Sequence, residues 1–188
     1  MSISLKKISK LIDLDLSDIP KEKRKTVKKE IGDFVVEEIL IAVSKGQSPV
    51  IGEKRNFKKL KPDYAKAEKG GDRNPDLELL GDMLDSLTFK NTTKGIEVGI
   101  FKATEVPKAD GHNNFSGKST LPKRRFIPKD SQKFRKSIQN GVKDIINEFK
   151  ADAVIPLTLE DVFNDKSLEL FLAQEGGNTR WLKRPESK

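Results

Sequence analysis

The chain has 188 residues, of which 35% are hydrophobic and 35% are charged, and its formal net charge is +8 at pH 7. This length suits one packed domain with extensions, and the small apolar share predicts that part of the surface is covered only when subunits assemble. The chain has no cysteine, one histidine and no apolar run near the roughly eighteen residues of a membrane span, which excludes disulfides, thiolate zinc sites, most histidine metal cages and a membrane partner.

The N-terminal segment begins MSISLKKISK and lacks the apolar block of a secretory signal, so we expect the chain to stay in the cytosol where it is made. Four apolar residues share one helical face and predict a short arm or helix that docks on an apolar surface: Leu5, Ile8, Leu11 and Ile12. From Pro20 an apolar stripe predicts a helix over residues 20 to 45, which Gly46 ends. Residues 52 to 76 are rich in Lys, Gly, Asp and Pro and predict a long exposed loop.

The hydrophobic period changes after residue 77. Leucines at three- and four-residue steps predict a helix over residues 77 to 86: Leu77, Leu80, Leu84 and Leu87. A strand at residues 87 to 90, a turn at residues 91 to 95 and a second strand at residues 96 to 102 follow, because apolar residues there alternate with polar ones or glycine.

Residues 104 to 120 are rich in Gly and Asn and predict a second loop, and a helix over residues 131 to 149 is predicted to lie across the sheet. These elements predict an α+β fold, in which two long helices pack on a small, mainly antiparallel sheet with long loops and terminal extensions. We divide the chain into an N-terminal arm at residues 1 to 19, an α+β domain at residues 20 to 150 and an acidic helical C-terminal extension and tail at residues 151 to 188.

The charge is distributed unevenly. Residues 53 to 69 hold seven basic and three acidic side chains, residues 118 to 136 hold eight basic and one acidic, and residues 151 to 175 hold six acidic and one basic. The basic segments suit phosphates or an acidic neighbour, and the acidic segment suits a basic surface on the next subunit.

Five short strings occur in an order that resembles the phage neck and tail-completion proteins, the virion morphogenesis family, over roughly residues 30 to 150. They are SPV at residues 48 to 50, LLGDMLDSL at 79 to 87, GIEVGIF at 95 to 101, ADGHN at 109 to 113 and LPKRRFIP at 121 to 128. The family string L-T-G-x-L-x-x-S is matched by Gly81 and Ser86, although its threonine is missing here. The family string I-P-x-R-P-F-L is matched by Pro122, Arg124 and Phe126, with Arg125 in place of the second proline.

The resemblance implies a structural virion protein that forms a homo-oligomeric ring, a hexamer or dodecamer, at the head-to-tail junction. Its implied partners are the portal or head-completion adaptor, the tail terminator or tail tube proteins, and the DNA that passes through the lumen. Its implied location is the neck or upper tail of the virion, after assembly in the host cytoplasm. We expect no enzymatic activity and no cofactor.

Seven basic residues are candidate contacts to DNA in the lumen or to neighbouring subunits: Lys54, Arg55, Lys58, Lys59, Lys61, Lys123 and Arg125. Phe57 and Tyr64 lie among them, which is the composition that single-strand binders use for stacking and charge. The alternative function is therefore a basic, non-specific DNA-binding protein. Arg124 is expected to bridge to a carboxylate or to carbonyls, because its planar fork satisfies several acceptors.

No residue pattern predicts catalysis or a metal. His112 lies beside Asp110 in a loop without a nucleophile string, and the resemblance implies a structural histidine there. The acidic residues near residue 82, including Asp85, are typical of a solvated helix face. They lie near the start of the helix, where the helix dipole favours negative charge. The string GKST at residues 117 to 120 is not a phosphate-binding loop, since His112 stands where the first glycine is required.

Overall fold

The computed structural model describes residues 7–77, 82–114 and 122–154. In chain order these form β1 (Ile8–Asp13), α1 (Arg24–Ser44), α2 (Pro62–Glu68), α3 (Asp82–Asp85), β2 (Leu87–Asn91), β3 (Gly95–Ile100), α4 (Val106–Asn113) and α5 (Lys136–Val154). The predicted α+β class with a small antiparallel sheet is confirmed. No helix in the described part of the chain is long and apolar enough to cross a membrane.

The sheet has three antiparallel strands in the order β1-β3-β2. Ile100 of β3 lies opposite both Ile8 of β1 and Leu87 of β2, and all three side chains are buried on the same face. Side chains alternate along a strand, so Glu97 of β3 and its partner Leu11 of β1 lie on the opposite face. There Glu97 accepts hydrogen bonds from Lys7 at 2.6 Å and from Ser9 at 2.7 Å.

Helix α1 covers the apolar face of the sheet. Its buried apolar residues recur at four-residue steps, which place them on one side: Val27, Ile31, Val35, Ile39 and Val43. Gly32 allows the closest approach, since a β-carbon at this position would lie 2.4 Å from the Phe89 ring of β2. The absence of a side chain at residue 32 therefore determines how near α1 lies to the sheet.

Helix α5 completes the core. It begins at Lys136, later than the predicted residue 131, and buries Ile138 and Val142. A β-carbon at Gly141 would lie 2.2 Å from Phe34 of α1, so the two long helices approach closely there. Lys150 also forms an ion pair with Asp18 at 2.7 Å.

Residues 3 to 12 were predicted to form an arm or helix, and the helical alternative is wrong for the described part of them. Residues 8 to 13 form strand β1, which pairs along the whole of β3. β3 has backbone N–H and C=O groups along one edge with which only an extended segment can pair. Residues 8 to 13 therefore form a strand and not a helix. Ile8 and Ile12 face the core as the alternation of a strand requires.

Both predicted loops contain helices. Helix α2 lies within residues 52 to 76 and begins at Pro62, where a proline is well accommodated. Helix α4 lies within residues 104 to 120 and carries Pro107 in its first turn. The helix predicted over residues 77 to 86 is seen as α3, with residues 78–81 outside the described part, as are residues 1–6, 115–121 and the extension from residue 155 onward.

Candidate functional site

The segment at residues 122 to 128, most of the string LPKRRFIP, is fixed in the core by side chains from two other parts of the chain. The Asn113 Oδ1 atom accepts hydrogen bonds from the backbone N–H groups of Phe126 at 2.9 Å and Ile127 at 2.8 Å. Its Nδ2 atom donates to the carbonyl of Ile127 at 3.0 Å. From the SPV turn, Ser48 donates its hydroxyl to the carbonyl of Arg125 at 2.6 Å. Residues of the strings ADGHN and SPV therefore hold the string LPKRRFIP in place.

A charged network lies beside this segment. Arg125, whose side chain is 2% exposed, places Nε 2.9 Å from Glu53 Oε1, close enough for an ion pair although not aligned as a hydrogen bond. Lys123 donates to the same carboxylate oxygen at 2.7 Å, and Gln132 donates to it at 3.3 Å. Burial alone would raise the pKa of Glu53, but the hydrogen bonds from Lys123 and Gln132 and the two cations hold this pKa below its usual value. The Glu53 side chain is therefore ionised at neutral pH.

Two further arginines bind backbone carbonyl groups of the loop that follows α1. Arg124 was predicted to bridge to a carboxylate or to carbonyls; it donates from Nη2 to one carbonyl, that of Lys58, at 3.3 Å. Burial lowers the pKa of its guanidinium. Arg135 donates from Nε to the carbonyl of Ser48 at 2.7 Å and from Nη2 to the carbonyl of Glu53 at 3.2 Å. The backbone from residue 48 to residue 58 is thus held by guanidinium groups.

Residues 54 to 61, which we call the basic loop, present their cations outward. Phe57 and Leu60 are buried and anchor the loop. Its five basic side chains are exposed, and within the described residues none of them forms an ion pair: Lys54, Arg55, Lys58, Lys59 and Lys61. The loop therefore presents five positive charges that have no ion-pair partner in the described part of the chain, above two buried apolar side chains.

Two of the predicted contacts need correction. Arg125 is buried and occupied by Glu53, so it supports the segment and cannot meet DNA or a neighbouring subunit in this conformation. Phe57 is a core residue and cannot stack on a base, whereas Tyr64 on α2 is 43% exposed. Lys123 is exposed but already pairs with Glu53.

The family-like positions are structural where they are described. Ser86 donates its hydroxyl to the carbonyl of Met83 at 2.7 Å and closes α3. Pro122 is half-buried, Phe126 is fully buried, and Gly81 lies outside the described residues. His112 lies in α4, where its carbonyl accepts the backbone N–H of Arg124 at 2.8 Å.

The chemistry available at His112 is limited by its surroundings. Burial and the nearby charge of Arg124 lower the pKa of His112 from 6.5 to about 4. Asp110 accepts a hydrogen bond from Asn114 at 2.9 Å, while Asp82 and Asp85 are exposed on α3. In the part of the chain that the structure describes, no group of three or more acidic or histidine side chains is placed to hold a metal ion.

Comparison with known proteins gave no match of any kind. No family model matches the chain, and neither a curated protein nor a solved structure does. Function is therefore inferred from the basic loop, its buried support and the sequence resemblance.

Proposed function

We propose that the protein is a structural component of a phage virion, in which identical copies form a closed ring at the head-to-tail junction. The ring joins the portal or head-completion adaptor to the tail terminator or tail tube and surrounds the DNA passage. The proposal is supported by the resemblance to phage neck and tail-completion proteins and by one geometric observation. That observation is the basic loop, whose five exposed cations form no ion pair among the described residues and whose backbone, with that of the adjoining Glu53, accepts hydrogen bonds from Arg124 and Arg135.

The five exposed cations of the basic loop suit an anionic partner outside the subunit. The five exposed cations form no ion pair among the described residues, so their charge is available to a partner outside the subunit. Arg124 and Arg135 hold the backbone of the loop and of the adjoining Glu53, while the exposed side chains of the loop can adjust to phosphates or to an acidic neighbour. In a ring, the same array is repeated once per subunit around the passage.

The described sheet also leaves an edge for a neighbour. β1 is an edge strand that pairs only with β3 among the described residues. An edge strand offers backbone donors and acceptors to another chain. A contact between this edge and a different surface of the next copy is heterologous, and such a contact closes into a ring when the rotation between copies is suitable.

Electron microscopy of the purified full chain, alone and with the portal complex, tests the proposal. We expect rings with six or twelve copies, and native mass spectrometry should give a discrete oligomer of the same number. Discrete monomers at high protein concentration, both alone and with the portal complex, would overturn it.

The second candidate is a basic, non-specific DNA-binding protein, which the basic loop favours independently of any ring. It predicts binding to arbitrary duplexes that collapses between about 50 and 200 mM salt, because each phosphate contact releases counterions. This binding should come from monomers that form no ring with or without the portal complex. Absence of binding at low salt removes this candidate.

A further inference from the structure

A polar cleft of about 540 Å³ lies beside the basic loop. Three segments form it: the residues that follow α1, part of the basic loop and residues 71 to 75. Its lining includes three cations, Lys45, Lys59 and Arg73, with one acidic side chain, Asp72. The described residues that line it therefore carry a net charge of +2.

Hydrogen bonds fix the walls of the cleft. Arg73 donates from Nε to the carbonyl of Leu60 at 3.0 Å, and Leu60 donates its backbone N–H to the carbonyl of Arg73 at 3.1 Å. Phe57 donates its backbone N–H to the carbonyl of Gly46 at 2.8 Å. Gly46 has a φ of +65° and a β-carbon there would lie 2.3 Å from the Asn74 side chain, so any other residue at this position would be strained. The cations consequently project from a defined frame.

The end of α1 would normally repel an anion, since free carbonyls give a helix C-terminus negative character. Here the last carbonyls are occupied. Those of Ile41, Ala42 and Val43 accept backbone N–H groups of the residues that follow, and the carbonyl of Ser44 accepts Nδ2 of Asn74 at 2.7 Å. Lys45 and Lys59 form no ion pair within the described residues, so their charges are free.

We propose that this cleft binds phosphate groups of a nucleic-acid backbone through Lys45, Lys59 and the free part of the Arg73 guanidinium. Asp72 lowers the affinity and keeps the binding loose. The choice of DNA over a free phosphate rests on the proposed function, in which the ring surrounds the DNA passage. The cations of the basic loop extend the same positive surface beyond the cleft.

The experiment uses the full chain and two variants with the same loss of charge. Lys45→Gln with Lys59→Gln removes two cations of the cleft, and Arg73 is kept because it holds Leu60. Lys21→Gln with Lys25→Gln removes two exposed cations near the start of α1, about 30 Å from Lys45 along a helix of this length. Binding of a labelled duplex is measured by fluorescence anisotropy over a range of salt concentrations.

The cleft variant is expected to bind roughly tenfold more weakly at about 50 mM salt, with the slope of log affinity against log salt reduced by about two. The Lys21 and Lys25 variant should change affinity by less than about twofold. Asp72→Asn keeps the oxygen that accepts the backbone N–H of Asn74 and removes the negative charge, so it should bind more tightly.

Equal losses in the two lysine variants would show binding to diffuse charge and overturn the inference. Tripolyphosphate is the second ligand, measured by calorimetry. If tripolyphosphate binds and depends on Lys45 and Lys59 while the duplex does not bind, the assignment to nucleic acid is overturned. Rings without DNA binding would overturn this inference alone, and cleft-dependent DNA binding by monomers that the portal complex does not assemble would overturn the ring proposal alone.

Discussion

Asn113 shows how one buried amide holds a segment in place. It is 2% exposed and serves three backbone groups of Phe126 and Ile127. We expect Asn113→Ala to lower the free energy of unfolding by about 3 kcal/mol, because two N–H groups and a carbonyl would be left buried without partners. Urea unfolding followed by circular dichroism measures this.

Asn114→Ala is the matched control for that change. Asn114 is half-buried, and its side chain contacts only Asp110 among the hydrogen bonds described. We expect a loss of less than about 1 kcal/mol. Equal losses in the two variants would mean that the hydrogen bonds of Asn113 do not fix the segment.

His112 gives the fold a specific dependence on pH. Burial, and secondarily the charge of Arg124, lower the pKa of His112 to about 4 from the 6.5 expected in the unfolded chain. Between these values the unfolded state binds a proton that the folded state does not, so stability falls as pH decreases from 6.5 towards 4 and is unaffected above 6.5. The buried Nδ1 atom, which has no hydrogen-bond partner in the described part of the chain, contributes no compensating contact.

His112→Gln should remove this dependence. Since His112 is the only histidine, the difference in unfolding free energy between the natural protein and this variant isolates its titration. We expect the natural protein to lose about 1 to 2 kcal/mol relative to the variant between pH 7 and pH 4.5, below the ideal 1.4 kcal/mol per unit because the ring is partly solvated. Urea unfolding at several pH values checks this, and parallel stability profiles would contradict it.

At the scale of elements, the contact between α1 and β2 depends on a glycine. We expect Gly32→Ala to destabilise the fold by about 1 to 3 kcal/mol through overpacking against Phe89, despite the better helix propensity of alanine. Thermal and urea unfolding measure this change. Phe89→Leu in the same chain should recover part of the loss, because the smaller side chain leaves room for the new methyl group.

Gly111 in α4 is the matched control. A β-carbon there meets nothing within 4 Å, so Gly111→Ala should be neutral or stabilise the fold by up to about 1 kcal/mol. Destabilisation of similar size at both glycines would show that the approach of α1 to Phe89 is not the cause.

The long elements were predictable because their patterns repeat. The stripe containing Val27 and Ile39 identified α1, and the alternation around Val98 identified β3. Strand β1 was not, since Ile8, Leu11 and Ile12 fit a helical face as well as a strand and only pairing with β3 decides between them.

Helix α4 and the buried ion pair of Arg125 with Glu53 could not be predicted from the sequence, because both depend on contacts between residues that are distant in the chain. Local preferences of Gly111 and Asn113 favour a turn, but Asn113 gains three hydrogen bonds to residues 126 and 127 when the segment is helical. Arg125 looked like a surface cation because its partner, Glu53, lies far away in the chain. The exposed lysines of the basic loop were predicted correctly, since composition alone places them at a surface.

At the scale of the whole molecule, the opposite charges of the basic loop and of residues 151 to 175 give a prediction about assembly. Deleting residues 155 to 188 removes five of the six acidic side chains of residues 151 to 175, and with them any electrostatic contact that these five make. If the acidic segment binds a basic surface on the next copy, the deletion should lower the oligomer fraction. Analytical ultracentrifugation measures that fraction.

Charge is distinguished from chain length by a full-length variant in which four carboxylates are neutralised: Glu160→Gln, Asp161→Asn, Asp165→Asn and Glu169→Gln. It should dissociate like the deletion, and raising the salt concentration from about 50 to 200 mM should weaken the natural oligomer, because screening shortens the reach of exposed charges. An oligomer that is unchanged by neutralisation but lost on deletion would assign the contact to apolar residues of the extension. An oligomer unchanged by either would place the whole interface within residues 1 to 154, with the exposed edge of β1 as the first surface to substitute.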